Sequence, residues 1–246
     1  MKKRSFTEKV VKAGLLLVIA GVVVWAFAAG SFQLMIDRPG DLIYLLLQHL
    51  QLVGLSALLA VAAAVPAGII VTRERFRKLQ WIATNFANLG QTIPSLAILA
   101  LVMSYLGIGY QTAVFALWIN SLLPILRNTI AGLENVSPSI LDAGKGMGMS
   151  PGQIFWKLEL PNASYAILAG IRTSIVINVG TATLAFLIGG GGLGDFIFTG
   201  ISLYDTGIML AGALPVMVLA VIIDFVLGKL ERVVIPKGLQ RNLETL

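Results

Sequence analysis

The sequence predicts an all-α, polytopic membrane helix bundle, and three observations predict it. Charged residues make up only 12% of the chain against 57% hydrophobic, and the mean hydropathy is +0.88. A soluble domain carries about 25% charged residues, so half that share cannot clothe a water-facing surface. The charges also cluster, leaving five uncharged stretches at 13–36, 42–72, 79–126, 173–194 and 206–223. A spanning helix needs roughly 20 mainly apolar residues. The third stretch holds two such helices with a turn at Gly107–Gln111, which gives about six spans. The last observation is a polar segment of small residues, Asp142 to Gly148, set between long apolar blocks.

The first span follows a basic start (Lys2, Lys3, Arg4, Lys9, Lys12) and is an unbroken apolar run from Ala13 to Ala29. A signal peptide has the same order but a shorter apolar region, about 7–15 residues. A retained helix is therefore preferred, although Ala28-Ala29-Gly30 has the look of a cleavage site. Pro39-Gly40 then breaks the chain, and Asp41 to Leu50 reads as an interfacial helix ahead of the second span. His49, the lone histidine, reads as an interfacial or packing residue, because one imidazole is too few ligands for a metal site. With no cysteine there is no disulfide framework or thiolate site either.

Four prolines fall within spans: Pro66, Pro94, Pro124 and Pro215. Each is either a packing kink or a hinge beside a path, since neighbouring helices can satisfy the freed carbonyls. The hinge reading is strongest for Pro94, in Gly90-Gln-Thr-Ile-Pro-Ser95. Spans three and five are unusually polar. Asn85, Asn88 and Gln91 recur at helical spacing, as do Ser174, Asn178 and Thr181. Lipid offers no hydrogen bonds, so these faces point into the protein, either to bond neighbouring helices or to line a hydrated path. Gly189 to Gly194 formally fits a dinucleotide fingerprint, but that motif needs a strand before it. A break or a close helix contact suits it better.

Basic residues gather in the N-terminal tail, at Arg73–Lys78, around Arg127–Lys157, and at Lys229–Arg241, all on one side of a six-span topology. By the positive-inside rule both termini are cytoplasmic; the membrane is expected to be the plasma (inner) membrane. The net charge of +6 thus reports orientation rather than nucleic-acid binding.

No catalytic constellation is present in the sequence. The Gly144-Lys145 and Gly228-Lys229 pairs lack the following Ser/Thr and the leading glycine of a phosphate loop. ATP-driven work would need a second subunit. The segment 134–162 is suited to meet one. Pro138 and Pro151 bracket a helix from Ser139 to Met149, N-capped by Ser137 or Ser139. Ala143, Gly144, Gly146 and Gly148 give it a slim face, and a second helix runs from Gly152 to Leu160. Glycines cost a helix about 1 kcal/mol each, so this segment is expected to draw stability from a docked partner.

These residues carry a resemblance. Asp142-Ala143-Gly144, three residues, Gly148, nine residues, then Leu158-Glu-Leu160-Pro161 resembles the cytoplasmic loop of ABC importer permeases, whose pattern is E-A-A, Gly, I-x-L-P. The chain is similar to the inner permease subunits of binding-protein-dependent importers over residues 45–230, with a methionine-importer-like fold. Gly90–Ser95, Ala143–Ser150, Gly170–Ser174 and Gly180–Thr183 look most like the osmoprotectant group, which handles glycine betaine, choline and carnitine.

The resemblance implies three parts: a basic tail and first helix (1–36), a permease domain (45–230) with its coupling loop (134–162), and a cytoplasmic tail (231–246). It implies two permeases, identical or paralogous, with two ATPases and a separate extracytoplasmic binding protein. ATP and Mg would sit on the ATPase and no cofactor on this chain. Asp142, Ala143, Gly144, Gly148, Leu158, Leu160 and Pro161 would dock the ATPase. Asn85, Asn88, Gln91, Pro94, Ser174, Asn178 and Thr181 are the candidate path. Other readings are an amino-acid (methionine-type) importer, a gradient-driven transporter using Asp224, and a non-transporting scaffold.

Overall fold

A computed structural model describes residues 36–235, apart from the side chains of Arg77 and Val234, and a few isolated positions between Gly14 and Gly30. Among them every regular element is helical. In chain order these are α1 (Pro39–Val71), α2 (Arg77–Gly90), α3 (Ser95–Leu106), α4 (Tyr110–Glu134), α5 (Pro138–Gly146), α6 (Pro151–Ile154), α7 (Leu160–Thr181), α8 (Gly194–Leu203) and α9 (Thr206–Val234). A π-helical turn, Phe155–Glu159, joins α6 to α7, and 3-10 turns cover Glu74–Phe76 and Ala182–Ile188.

Four helical runs are long and apolar enough to cross a membrane: Pro39–Val71, Tyr110–Glu134, Pro151–Ile188 and Thr206–Val233. The pair α2–α3, bent by 104°, makes a fifth when its two arms are counted as one broken span. The predicted first span lies outside the described residues except for isolated positions, as does most of the C-terminal tail.

Two expectations about boundaries are corrected. Pro39 does not break the chain but occupies the first turn of α1, where its missing N–H costs nothing; the expected interfacial helix and second span are one helix. The third span breaks between Gly90 and Ser95, beside Pro94, where the hinge reading was strongest. The fifth span begins well before residue 173, since the helical run starts at Pro151. Pro66, Pro124 and Pro215 stay inside continuous helices.

Helices α1, α4 and α7 form the centre, with α9 against α7 and α8. Leu52, Leu99, Leu117, Val179 and Ala185 pack at one end of this core. Leu133, Val136, Ala163 and Ile167 pack at the other, beneath the 134–162 loop. Outward residues such as Leu58, Val221 and Phe225 are exposed, as a lipid-facing perimeter requires. His49 is fully buried, and its Nε2 donates to the Val179 carbonyl at 2.9 Å, so it is a packing residue that ties α1 to α7.

Helices α7 and α9 are joined by charge. Arg172 donates to both oxygens of Asp224 at 2.7 Å and to Glu231 at 3.3 Å. Lys229, five residues on from Asp224, lies over the Phe225 ring, 4.4 Å from its centroid. Gly228 makes room for the guanidinium, since a Cβ there would stand 2.9 Å from Arg172 Nη1. Gly228→Val is therefore expected to unseat Arg172. Its drop in melting temperature in detergent should match that of Arg172→Gln, and the double variant should fall no further.

Candidate functional site

The 134–162 segment is built from helix-ending chemistry. Pro138 opens α5 behind Ser137, the N-cap, although the Ser137 hydroxyl bonds the Ser139 hydroxyl (2.7 Å) rather than a backbone N–H. At the other end Gly148 sits at φ +75°. Its N–H bonds the Lys145 carbonyl at 2.9 Å, and the Met149 N–H bonds the Gly144 carbonyl at 3.1 Å. Those two bonds with a left-handed residue between them form a Schellman stop. One residue on, Ser150 starts the next helix with a capping box: Gln153 N–H to Ser150 Oγ at 3.4 Å, Ser150 N–H to Gln153 Oε1 at 2.8 Å. Pro151 occupies the first turn. The spacing between Gly148 and Pro151 is thus a helix stop placed directly against a helix start.

The slim face expected of Ala143, Gly144, Gly146 and Gly148 divides in two. Gly144 is buried, and a Cβ on it would meet Leu158 Cδ1 at 2.6 Å, so it closes the two arms of the loop on each other. Asp142, Ala143, Gly146, Met147 and Gly148 are exposed, Met147 by 72%. Nothing would touch a Cβ on Gly146 or Gly148 within 4 Å. Asp142 pairs only with Lys145 at 3.1 Å, both well exposed, which contributes little. Leu158, Leu160 and Pro161 are half-buried, and Leu160 packs under the loop with Leu133 and Ile167. The motif's second half is therefore a foot, and Asp142–Gly148 is the free edge. Trp156, 68% exposed on the π-helical turn, was not singled out from sequence; a large aromatic in a polar loop was the available signal.

The path residues do not form one group. In the broken span, Gln91 caps α2, the Thr92 hydroxyl bonds the Leu89 carbonyl at 2.7 Å, and Pro94 precedes α3. Asn85 donates to the Trp81 carbonyl of its own helix at 2.8 Å, while Asn88, Gln91 and Pro94 are exposed. The shared face expected for Asn85, Asn88 and Gln91 ends at the 104° bend. In α7, Asn178 is buried and donates to Ser56 Oγ at 2.8 Å, and Ser174 donates to the Ser121 carbonyl at 2.8 Å. Both bond neighbouring helices. Thr181 bonds back to Ile177 at 3.1 Å.

Close packing explains the glycine run. Gly191 lies against Gln48, whose Oε1 accepts from Gly192 N–H at 2.9 Å, and a Cβ on Gly190 would meet Ala113 Cβ at 2.6 Å. The described residues hold no group of three or more His, Asp or Glu placed to bind a metal.

Comparison with known proteins agrees with this architecture. The chain is 44% identical over 212 residues to the choline transport system permease protein OpuBB of Bacillus subtilis, covering 86% of this chain and 97% of that one. It is 40% identical over 213 residues to the osmoprotectant import permease protein OsmY of Salmonella typhimurium, covering 87% and 89%. In fold it is similar to a chain of a solved structure described as inward-facing conformations of the MetNI methionine ABC transporter, with TM-score 0.70, 22% identity, and 80% and 98% coverage. The family model for the binding-protein-dependent transport system inner membrane component matches residues 64–235. The chain belongs to that family and is a permease subunit of an ABC importer.

Proposed function

We propose that this permease passes a small alkylated-ammonium osmoprotectant of the glycine betaine, choline or carnitine type into the cytoplasm. A separate extracytoplasmic binding protein delivers the solute, and a separate ATPase docks on Asp142–Gly148. A second permease, identical or paralogous, completes the membrane assembly, and ATP with Mg resides on the ATPase. Both termini face the cytoplasm of a plasma (inner) membrane protein.

The observation that carries the docking reading is the free edge itself: exposed small and flexible residues held between a Schellman stop and a capping box. The solute class rests on the relatives' names at 40–46% identity. The methionine-type alternative has only a likeness of fold behind it. A gradient-driven mechanism loses its acid, because both oxygens of Asp224 are engaged by Arg172.

The test is purification of the tagged chain from native membranes, with co-purifying proteins identified, followed by uptake in proteoliposomes. The expected result is a P-loop ATPase and a binding protein, and uptake of radiolabelled choline, glycine betaine or carnitine only with internal or external ATP on the ATPase side. Uptake of methionine alone would redirect the solute class. Uptake driven by an ion gradient without ATP would overturn the reading.

The path is proposed to run past the exposed elbow at Asn88–Pro94. Asn88→Ala and Gln91→Ala should change the uptake rate several-fold without altering the melting temperature. Asn178→Ala should do the reverse, costing about 1 kcal/mol of stability through the lost bond to Ser56. Equal, stability-only effects at all three positions would reduce the elbow to packing.

A further inference from the structure

We propose that Arg73 is the positioning residue through which movement of the docking loop reaches α1 and the broken span behind it; this rests on the docking reading above. The loop connects to α7 through the chain, but α1 and α2–α3 are not continuous with it and can be moved by it only through contact. Ile69 at the end of α1 shares an apolar cluster with Leu141, Phe155 and Leu160 of the loop. Apolar packing is non-directional, so that contact alone lets the two surfaces slide. Arg73 adds direction.

Its guanidinium makes a fork with the Glu159 carboxylate, Nη1 to Oε2 and Nη2 to Oε1, each at 2.9 Å. Its Nε donates back to the Ile69 carbonyl at 3.1 Å, which anchors the same side chain to the last turn of α1. The guanidinium carbon lies 5.0 Å from the centre of the Phe155 ring. Phe155 and Glu159 are the first and last residues of the π-helical turn, so one arginine grips both ends of the irregular turn that joins the loop to α7. Glu159 is only 15% exposed, and a fork of this kind fixes orientation as well as distance. Such π-turns recur at functional sites. On its other side Arg73 leads straight into the 3-10 turn Glu74–Phe76 and α2, the first arm of the broken span.

A residue that merely held the fold together would, when replaced, lower stability, ATPase binding and transport in parallel. A positioning residue would leave ATPase binding intact, cost only the modest stability of one part-buried pair, and lower the solute moved per ATP hydrolysed out of proportion to either. The experiment uses the assembled transporter, purified with its ATPase and reconstituted with its binding protein, in wild-type, R73Q, R73K, E159Q, R73E and R73E/E159R forms. Three quantities are read: ATPase recovered per permease, melting temperature, and solute transported per ATP.

For R73Q and E159Q the ATPase recovered should match wild type and the melting temperature should fall only modestly, as one part-buried pair is lost, while transport per ATP falls about tenfold, within the usual range of inter-site coupling. R73K, which keeps the charge but neither the fork nor the flat stacking face, should fall between. The reversed pair should recover part of what R73E loses. Unchanged transport per ATP in R73Q and E159Q would overturn the proposal while leaving docking intact. Parallel loss of ATPase recovery and melting temperature would make Arg73 structural and overturn it as well. Absence of any ATPase on the wild-type chain would overturn the docking reading and this inference together.

Discussion

Replacing Gly148 with leucine is expected to abolish uptake while the chain still inserts, folds and reaches its normal level in the membrane. Two effects act together. Gly148 holds φ +75°, and an L-residue in the left-handed region costs roughly 1–2 kcal/mol, so the Schellman stop loosens and Met149 and Ser150 shift with it. The new side chain also enters the space in front of the docking edge, where a Cβ would meet nothing within 4 Å. That openness is why the fold survives and the assembly does not. Gly148→Asn separates the two effects, because asparagine tolerates the left-handed conformation but still adds bulk; uptake should be reduced rather than lost. Membrane content by immunoblot, ATPase co-purification and uptake decide the matter. Normal uptake in Gly148→Leu would count heavily against docking at this edge.

The opposite outcome is expected at Gly194, where even alanine should cost much of the fold's stability. A Cβ there would overlap the carbonyl oxygen of Thr183 and stand 2.8 Å from its carbonyl carbon. The obstacle is backbone in the 3-10 turn Ala182–Ile188, and backbone cannot swing aside as a side chain can. Overpacking of this kind costs about 3 kcal/mol, a large part of a typical stability of 5–15 kcal/mol. The Gly194→Ala chain should therefore be scarce in membranes, with a sharply lowered melting temperature in detergent, and its loss of uptake should track its loss of protein. A variant with wild-type abundance and melting point would show that the 3-10 turn can retreat from α8.

These two glycines also mark what the sequence could and could not disclose. Spans were legible where lipid leaves no choice: an uncharged stretch long enough to cross must be helical. The stretch at 42–72 runs along α1 to its C-cap Thr72, and that at 206–223 lies inside α9. Charges misled at one boundary. Lys157, Glu159 and Arg172 end the apolar run ahead of the fifth span, yet the helix passes through them from Pro151, because Arg73, Asp224 and Glu231 partner two of the three. Proline alone did not say which span would break. Pro66, Pro124 and Pro215 leave their helices continuous, whereas at Pro94 the preceding Gln91 and Thr92 supply a cap and a hydroxyl that satisfy the severed end. Within the docking motif, spacing identified the segment but not the roles. Gly144 turns inward and Gly148 outward, a distinction set by the facing Leu158 and invisible in a string of small residues.

One consequence follows from the pairing of a Schellman stop with a capping box at Gly148–Ser150. The glycine content suggested a loop that draws its missing stability from a docked partner. A segment that folds on binding gives up part of its contact energy to ordering, typically 2–5 kcal/mol. Here the end groups of α5 and α6 are satisfied within the loop, and Gly144 already rests on Leu158. The membrane subunit can thus be completed first and wait, fully shaped, for a soluble subunit made elsewhere. Neither subunit would then serve as the template for the other.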